Sequence, residues 1–174
     1  MMGRTHLLCG ISSLWVLTPV PPDLLSPDYG AMVIGAALGG LLPDLDAAES
    51  TLKHLRIGQL KPFWLPAQVV YTSGGHRGLL HSLLGSVMVA LLCLPLVLWG
   101  DWSVVLALVL GYASHLAADA GTRSGIPLLY PSRKCYHLLP RPWRLVTGSQ
   151  AEEVLFALAA SSTVLLLLIH LSFR

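Results

Sequence analysis

From Leu79 to Trp99 the chain carries one basic side chain, His81, and no acidic one. At about 1.5 Å of rise per residue a helix of that length crosses the hydrocarbon of a bilayer. A run of this kind has few other destinations, because no soluble helix of that length is apolar on every side unless it is wholly buried. A histidine inside it is costly and calls for a partner. Gly75-His76-Arg77-Gly78 stands immediately before it, so a polar cluster abuts the start of the segment.

Composition supports a membrane chain. Hydrophobic residues make up 54% and charged residues 11%, against roughly 25% charged in soluble globular proteins. A length of 174 residues fits one domain, 1–174. The net charge of +2 is too small to indicate nucleic acid as a partner, and the cations sit between apolar runs, a pattern of membrane topology. Cys9, Cys93 and Cys135 are widely separated, with no C-x-x-C pair, which supports neither a disulfide framework nor a thiolate zinc site.

Five apolar segments are expected. The first, His6 to Thr18, is closed by Pro19-Val20-Pro21-Pro22. No small-x-small cleavage site follows it, so it reads as a helix of the mature chain and not as a signal peptide. The second, Tyr29 to Pro43, carries Gly35 and Gly39 at the spacing that lets another helix approach closely. The third is Gly78 to Trp99. The fourth, Trp102 to Ala120, follows after Gly100-Asp101, so the two form an antiparallel hairpin. The fifth is Ala151 to Ser172. A proline-bounded aromatic piece, Lys61 to Pro66, suits the headgroup level. A basic loop with Arg123, Arg133, Lys134, Arg141 and Arg144 joins segments four and five. The expected fold is therefore an all-α polytopic membrane bundle.

If the segments alternate in direction, His6, Asp44, Asp46, His76, His81, His115, Asp119 and Glu152 all gather at one membrane face. That side also holds ten of the eleven Lys and Arg residues, all but Arg174, while Asp23, Asp28 and Asp101 lie opposite. By the positive-inside rule the site and the N-terminus face the cytoplasm.

His115 and Asp119, four apart on a helix, project from one face, the spacing by which one helix gives two ligands to a metal. A structural His-Asp pair would use the same spacing; the other acids and imidazoles at the same level favour the metal. Asp44-Leu45-Asp46 leaves a helix C-terminus, where acids oppose the dipole and gain from a cation. Their hard oxygens suit zinc, manganese or magnesium. His76 and His81 bracket a helix start, and Arg77 faces either an anionic substrate group or lipid headgroups. Glu152 is also favourable at a helix N-terminus without any function. Glu152-Glu153 lacks the following arginine of membrane CAAX-type proteases, Ala157 standing in its place. Nucleotide-binding, serine-hydrolase and zincin motifs are absent from the sequence.

Thr5-His6-Leu7-Leu8, Leu41 to Asp46, Gly75 to Ser82, Leu110 to His115 with Asp119, Gly125 to Pro131, and Gly148-Ser149-Gln150 with Glu152 together resemble the YdjM-like family, described as LexA-regulated, membrane-bound, metal-dependent hydrolases of the bacterial inner membrane. Leu80 departs from the threonine frequent there. The order of the candidate ligands is more distantly similar to helical zinc-dependent phospholipase C and single-strand-specific zinc nucleases, without their N-terminal tryptophan. The resemblance implies a hydrolase of the inner membrane.

The residues and the resemblance together lead to one expectation: a metal-dependent hydrolase cleaving a phosphoester or other ester of a lipid or membrane-associated substrate. His6, Asp44, Asp46, His76, His81, His115 and Asp119 would bind one or two divalent ions, zinc in first place. Asp46 or Glu152 would serve as base, and Arg77 would steady negative charge. The competing reading is a metal-binding or ion-translocating membrane protein without hydrolysis.

Overall fold

The computed structural model describes residues 1–20, 28–47, 56, 59–61, 68, 78–99 and 101–172. Five α-helices account for most of them: α1 Gly3–Ser12, α2 Tyr29–Leu41, α3 Leu83–Trp99, α4 Trp102–Ala120 and α5 Gln150–Ser172. Among the described residues there is no strand, only the isolated bridges Thr122 to Leu145 and Ile126 to Tyr136.

Helix ends follow local chemistry. The Asp28 carboxylate accepts from the Ala31 amide at 3.1 Å and caps α2; Asp101 accepts from Ser103 at 2.9 Å and caps α4. Two of the acids opposite the site thus satisfy amides that a helix start leaves open. Pro43, which has no N–H to continue the α-helical ladder, sits in a 3-10 turn, Leu42–Asp46, that takes over where α2 stops. The third segment is shorter than expected as an α-helix. Leu79–His81 form a separate 3-10 turn, Ser82 turns extended, and its Oγ accepts from the Gly85 amide at 3.1 Å to cap α3. His81 therefore projects from the approach to the helix and not from its first turn. Similarly α1 begins at Gly3, which puts His6 inside the helix, and its end tightens into a 3-10 turn, Ser13–Leu17.

α2 lies between α1 and α4. The contact is backbone to backbone: a Cβ on Gly39 would stand 2.0 Å from the Leu108 carbonyl oxygen, and one on Gly111 would stand 2.1 Å from that of Ala36. Only glycine admits this approach, as the spacing of small residues in α2 indicates. Leu14, Leu17, Met32, Ala36, Ala107 and Leu166 fill the core beyond the glycines. α1 and the 3-10 turn that follows it are tied to α5 by polar contacts, Ser12 Oγ to the Ala159 carbonyl at 3.1 Å and Trp15 Nε1 to Ser162 Oγ at 2.8 Å.

α4 and α5 are long and apolar enough to cross a bilayer, and α3 is a shorter apolar helix. Leu91, Leu92, Leu94, Leu96 and Leu98 on α3, and Leu158, Val164, Leu165 and Leu168 on α5, are exposed. An apolar surface of that extent suits lipid and not water.

The segment after α4 folds back over the end of the bundle. Leu138 N–H donates to the Ala120 carbonyl at 2.8 Å, Leu145 N–H to Gly121 at 3.0 Å, and Leu83 N–H to Leu128 at 2.9 Å. Ile126 is buried with Tyr112 and Leu116.

Candidate metal centre

Three imidazoles and two carboxylates meet where α1, the turn after α2, the turn before α3 and the last turns of α4 converge. His6, His81, His115 and Asp119 are buried; Asp44 is 19% exposed and forms the open side. His6 Nε2 lies 3.2 Å from Asp119 Oδ1. His81 Nε2 lies 3.5 Å from Asp44 Oδ1 and 3.7 Å from Asp119 Oδ2. His115 Nε2 lies 3.3 Å from His81 Nε2 and 3.7 Å from Asp44 Oδ1. Two groups of three, His6 with His115 and Asp119, and Asp44 with His81 and His115, each have donor atoms within 4.8 Å of one another.

The protonation of His115 follows from its other nitrogen. His115 Nδ1 is 2.7 Å from the Gly40 carbonyl oxygen. A carbonyl only accepts, so Nδ1 carries the proton and, in the neutral ring, Nε2 presents its lone pair to the cluster. This is the arrangement by which an outer partner orients a metal-binding histidine. The His6 ring stacks on His115 with centroids 3.6 Å apart at 18°, which fixes the second imidazole against the first.

This donor set fits a divalent transition metal. Ligand atoms about 2.0 to 2.1 Å from a tetrahedral zinc stand about 3.3 Å from one another; the five donor pairs given above stand 3.2 to 3.7 Å apart, and within each group of three no pair exceeds 4.8 Å. Mixed imidazole and carboxylate ligation suits zinc and leaves manganese admissible; a site with three nitrogens is poor for magnesium. Burial raises the Asp44 carboxyl pKa, but a hydrogen bond with His81 and the charges of His115, His6 and His81 outweigh it and hold it at about 2. Asp44 is thus anionic at neutral pH, as a ligand must be.

Glu152 lies beside this cluster. Its Oε1 accepts from the Met2 amide at 2.6 Å and its Oε2 from the Gly148 amide at 2.7 Å. The carboxylate clasps the chain before α1 to the start of α5, and the Met1 nitrogen donates to Asp119 Oδ1 at 2.7 Å. Arg4 pairs with Glu153 outside the clasp. His76, Arg77 and the side chain of Asp46 lie outside the described residues. Outside the cluster, His137 Nε2 lies 3.1 Å from the Arg123 carbonyl oxygen and His170 stacks on Tyr29 at the far end of α5, with centroids 3.7 Å apart.

Two contributors escape a motif reading. Gly40 acts through its carbonyl, which no side-chain pattern records. The Tyr112 hydroxyl donates to the Leu80 carbonyl and so holds the turn that carries His81. The spacing of Gly111 and His115, four residues on one helix face, is the signal that a close helix contact and a ligand share a stripe.

The family described as YdjM inner membrane protein matches residues 1–173. The chain belongs to that family. The Escherichia coli (strain K12) inner membrane protein YdjM is 37% identical over 147 residues, 79% of this chain and 69% of that protein. The Bacillus subtilis (strain 168) protein YvsG, described as uncharacterized, is 32% identical over 157 residues, 90% of this chain and 88% of its own. No solved structure matches. Membership in the YdjM inner membrane protein family accords with the lipid-suited faces of α3 and α5 and supports a membrane location.

Proposed function

We propose that this chain is a membrane-bound hydrolase that holds one divalent cation, zinc before manganese, and cleaves a phosphoester or other ester in a lipid or membrane-associated substrate. The observation that carries the reading is the His115 to Gly40 bond, which commits a buried Nε2 lone pair to a pocket already lined by two carboxylates and two further imidazoles. Lone pairs crowded in a dry pocket repel unless a proton or a cation stands between them. One ion is the economical count, because His115 belongs to both groups of three and its Nδ1 is engaged by the Gly40 carbonyl.

His6, His81, His115, Asp44 and Asp119 would hold the ion. Bound there, a divalent cation supplies Lewis acidity toward water and toward a phosphoryl or acyl oxygen. Asp44, the most open of the five, lies on the side from which substrate and water would arrive. Asp46 is the proton acceptor expected from the sequence, and Arg77 the cation for developing negative charge. Both amide contacts give Glu152 a positioning role in preference to that of a base. The cation asymmetry of the sequence assigns the site to the cytoplasmic face. Ion translocation is the competing reading, but it favours ionisable groups near the bilayer midplane, and these ligands gather at helix ends.

The test is elemental analysis of protein purified in detergent, followed by hydrolysis of phospholipid, isoprenyl-phosphate and generic phosphoester substrates. One equivalent of metal, and turnover that chelation abolishes and metal restores, are expected. Metal-independent turnover, or no bound metal after reconstitution, would reject the proposal.

A further inference from the structure

The segment from 121 to 149 holds five cations, Arg123, Arg133, Lys134, Arg141 and Arg144, and no acid. It is also pinned in place. Leu138 and Leu145 hydrogen-bond back to Ala120 and Gly121 at the end of α4, and the segment runs on into the start of α5. Among the described residues α4 and α5 are the two helices long and apolar enough to span a bilayer, so a segment tied to both of their neighbouring ends sits at the bilayer boundary. Large apolar side chains stand out among its cations: Trp143 is 73% exposed, Leu138 69% and Leu129 51%. Arg123, Arg133 and Arg141 are exposed too. In water such apolar side chains would be a liability. At the headgroup level, tryptophan and leucine enter the acyl boundary while the cations meet phosphate.

We propose that this folded segment is a docking surface for anionic phospholipid headgroups, which it concentrates beside the buried cluster. Charge complementarity selects the occupant: a zwitterionic surface offers no net charge to a segment with five cations and no acid, whereas an anionic leaflet attracts each exposed cation near it, by about fivefold in local enrichment per residue. A nucleic acid would satisfy the cations but leave Trp143, Leu138 and Leu129 in water. The inference stands apart from the metal reading, since it requires neither an ion nor turnover.

The experiment uses the full chain in nanodiscs of phosphatidylcholine with 20 mol% of one brominated lipid, either phosphatidylglycerol or phosphatidylcholine, labelled near the glycerol end of the acyl chains. The difference between wild type and Trp143→Phe isolates the Trp143 emission. Bromine on phosphatidylglycerol is expected to quench it several-fold more than bromine on phosphatidylcholine at equal mole fraction. In the Arg123→Gln/Arg133→Gln/Arg141→Gln variant, and in wild type at 0.5 M salt, the ratio should fall toward one. Equal quenching by the two lipids, a preference that survives both the triple substitution and salt, or a Trp143 quenched by aqueous iodide or by added RNA but by neither lipid, would overturn the assignment.

Discussion

Replacing Gly111 by alanine should loosen the ion site without touching a ligand. The new Cβ would stand 2.1 Å from the Ala36 carbonyl oxygen and 3.0 Å from the Gly40 nitrogen. Carbon and carbonyl oxygen ordinarily come no closer than about 3.3 Å, so α4 must move off α2 by about 1 Å at this level. Gly40 is also the residue whose carbonyl receives His115 Nδ1 at 2.7 Å. The same displacement carries that bond past the 3.5 Å limit of useful geometry. Overpacking of this kind costs about 1 to 3 kcal/mol of stability, and losing the outer partner of a metal-binding histidine lowers metal affinity by about 10- to 100-fold. The assay is zinc competition against a fluorescent chelator, with protein in detergent at 20 °C, alongside thermal melting. Ala117→Val, on an exposed position of the same helix, should change neither reading. If Gly111→Ala bound zinc as tightly as wild type while the control behaved, the link from helix spacing to ligand orientation would be wrong.

Alanine at His81, His115 or Asp119 should each abolish the single equivalent of metal seen by elemental analysis; retention of a full equivalent in all three would locate the ion elsewhere. Glu152→Gln leaves one amide acceptor in place of two and should cost about 1 to 3 kcal/mol with a reduced metal affinity, whereas Glu153→Gln, which breaks an exposed pair with Arg4, should stay within about 1 kcal/mol of wild type; chemical denaturation with and without zinc separates them. The Asp44 carboxyl, held at about 2 against 3.8 for a free side chain, lends stability that is fully present above pH 4 and is lost as pH falls through 2. Acid unfolding of metal-free wild type should therefore converge on that of Asp44→Asn near pH 2, and parallel curves throughout would refute the sign.

Among the described residues, the order of the five helices was legible because the apolar runs in the sequence are bounded by proline, glycine or an acid. Alternation of direction then placed His6, Asp44, His81, His115 and Asp119 at one end, and the structure brings these five together. What the sequence hides is whatever the backbone contributes. The third segment reads as one apolar run from Gly78, yet Ser82 interrupts it to cap α3, because a hydroxyl can serve as a cap or lie unnoticed in a helix with equal ease. Glu152 reads as a candidate base on residue type alone. Its engagement by the Met2 and Gly148 amides depends on two chain segments whose meeting no local pattern encodes.

Where α2 and α4 touch through Gly39 and Gly111, no side chain stands between the two backbones. Packing mediated by rotamers can breathe as side chains hop; peptide planes in direct contact cannot. The ring of His115 thus inherits its bearing from rigid strut against rigid strut, so an arriving ion meets a socket already finished, with little ordering left for it to impose. Hydrogen exchange in the flanking turns of α2 and α4 should be nearly the same with and without zinc.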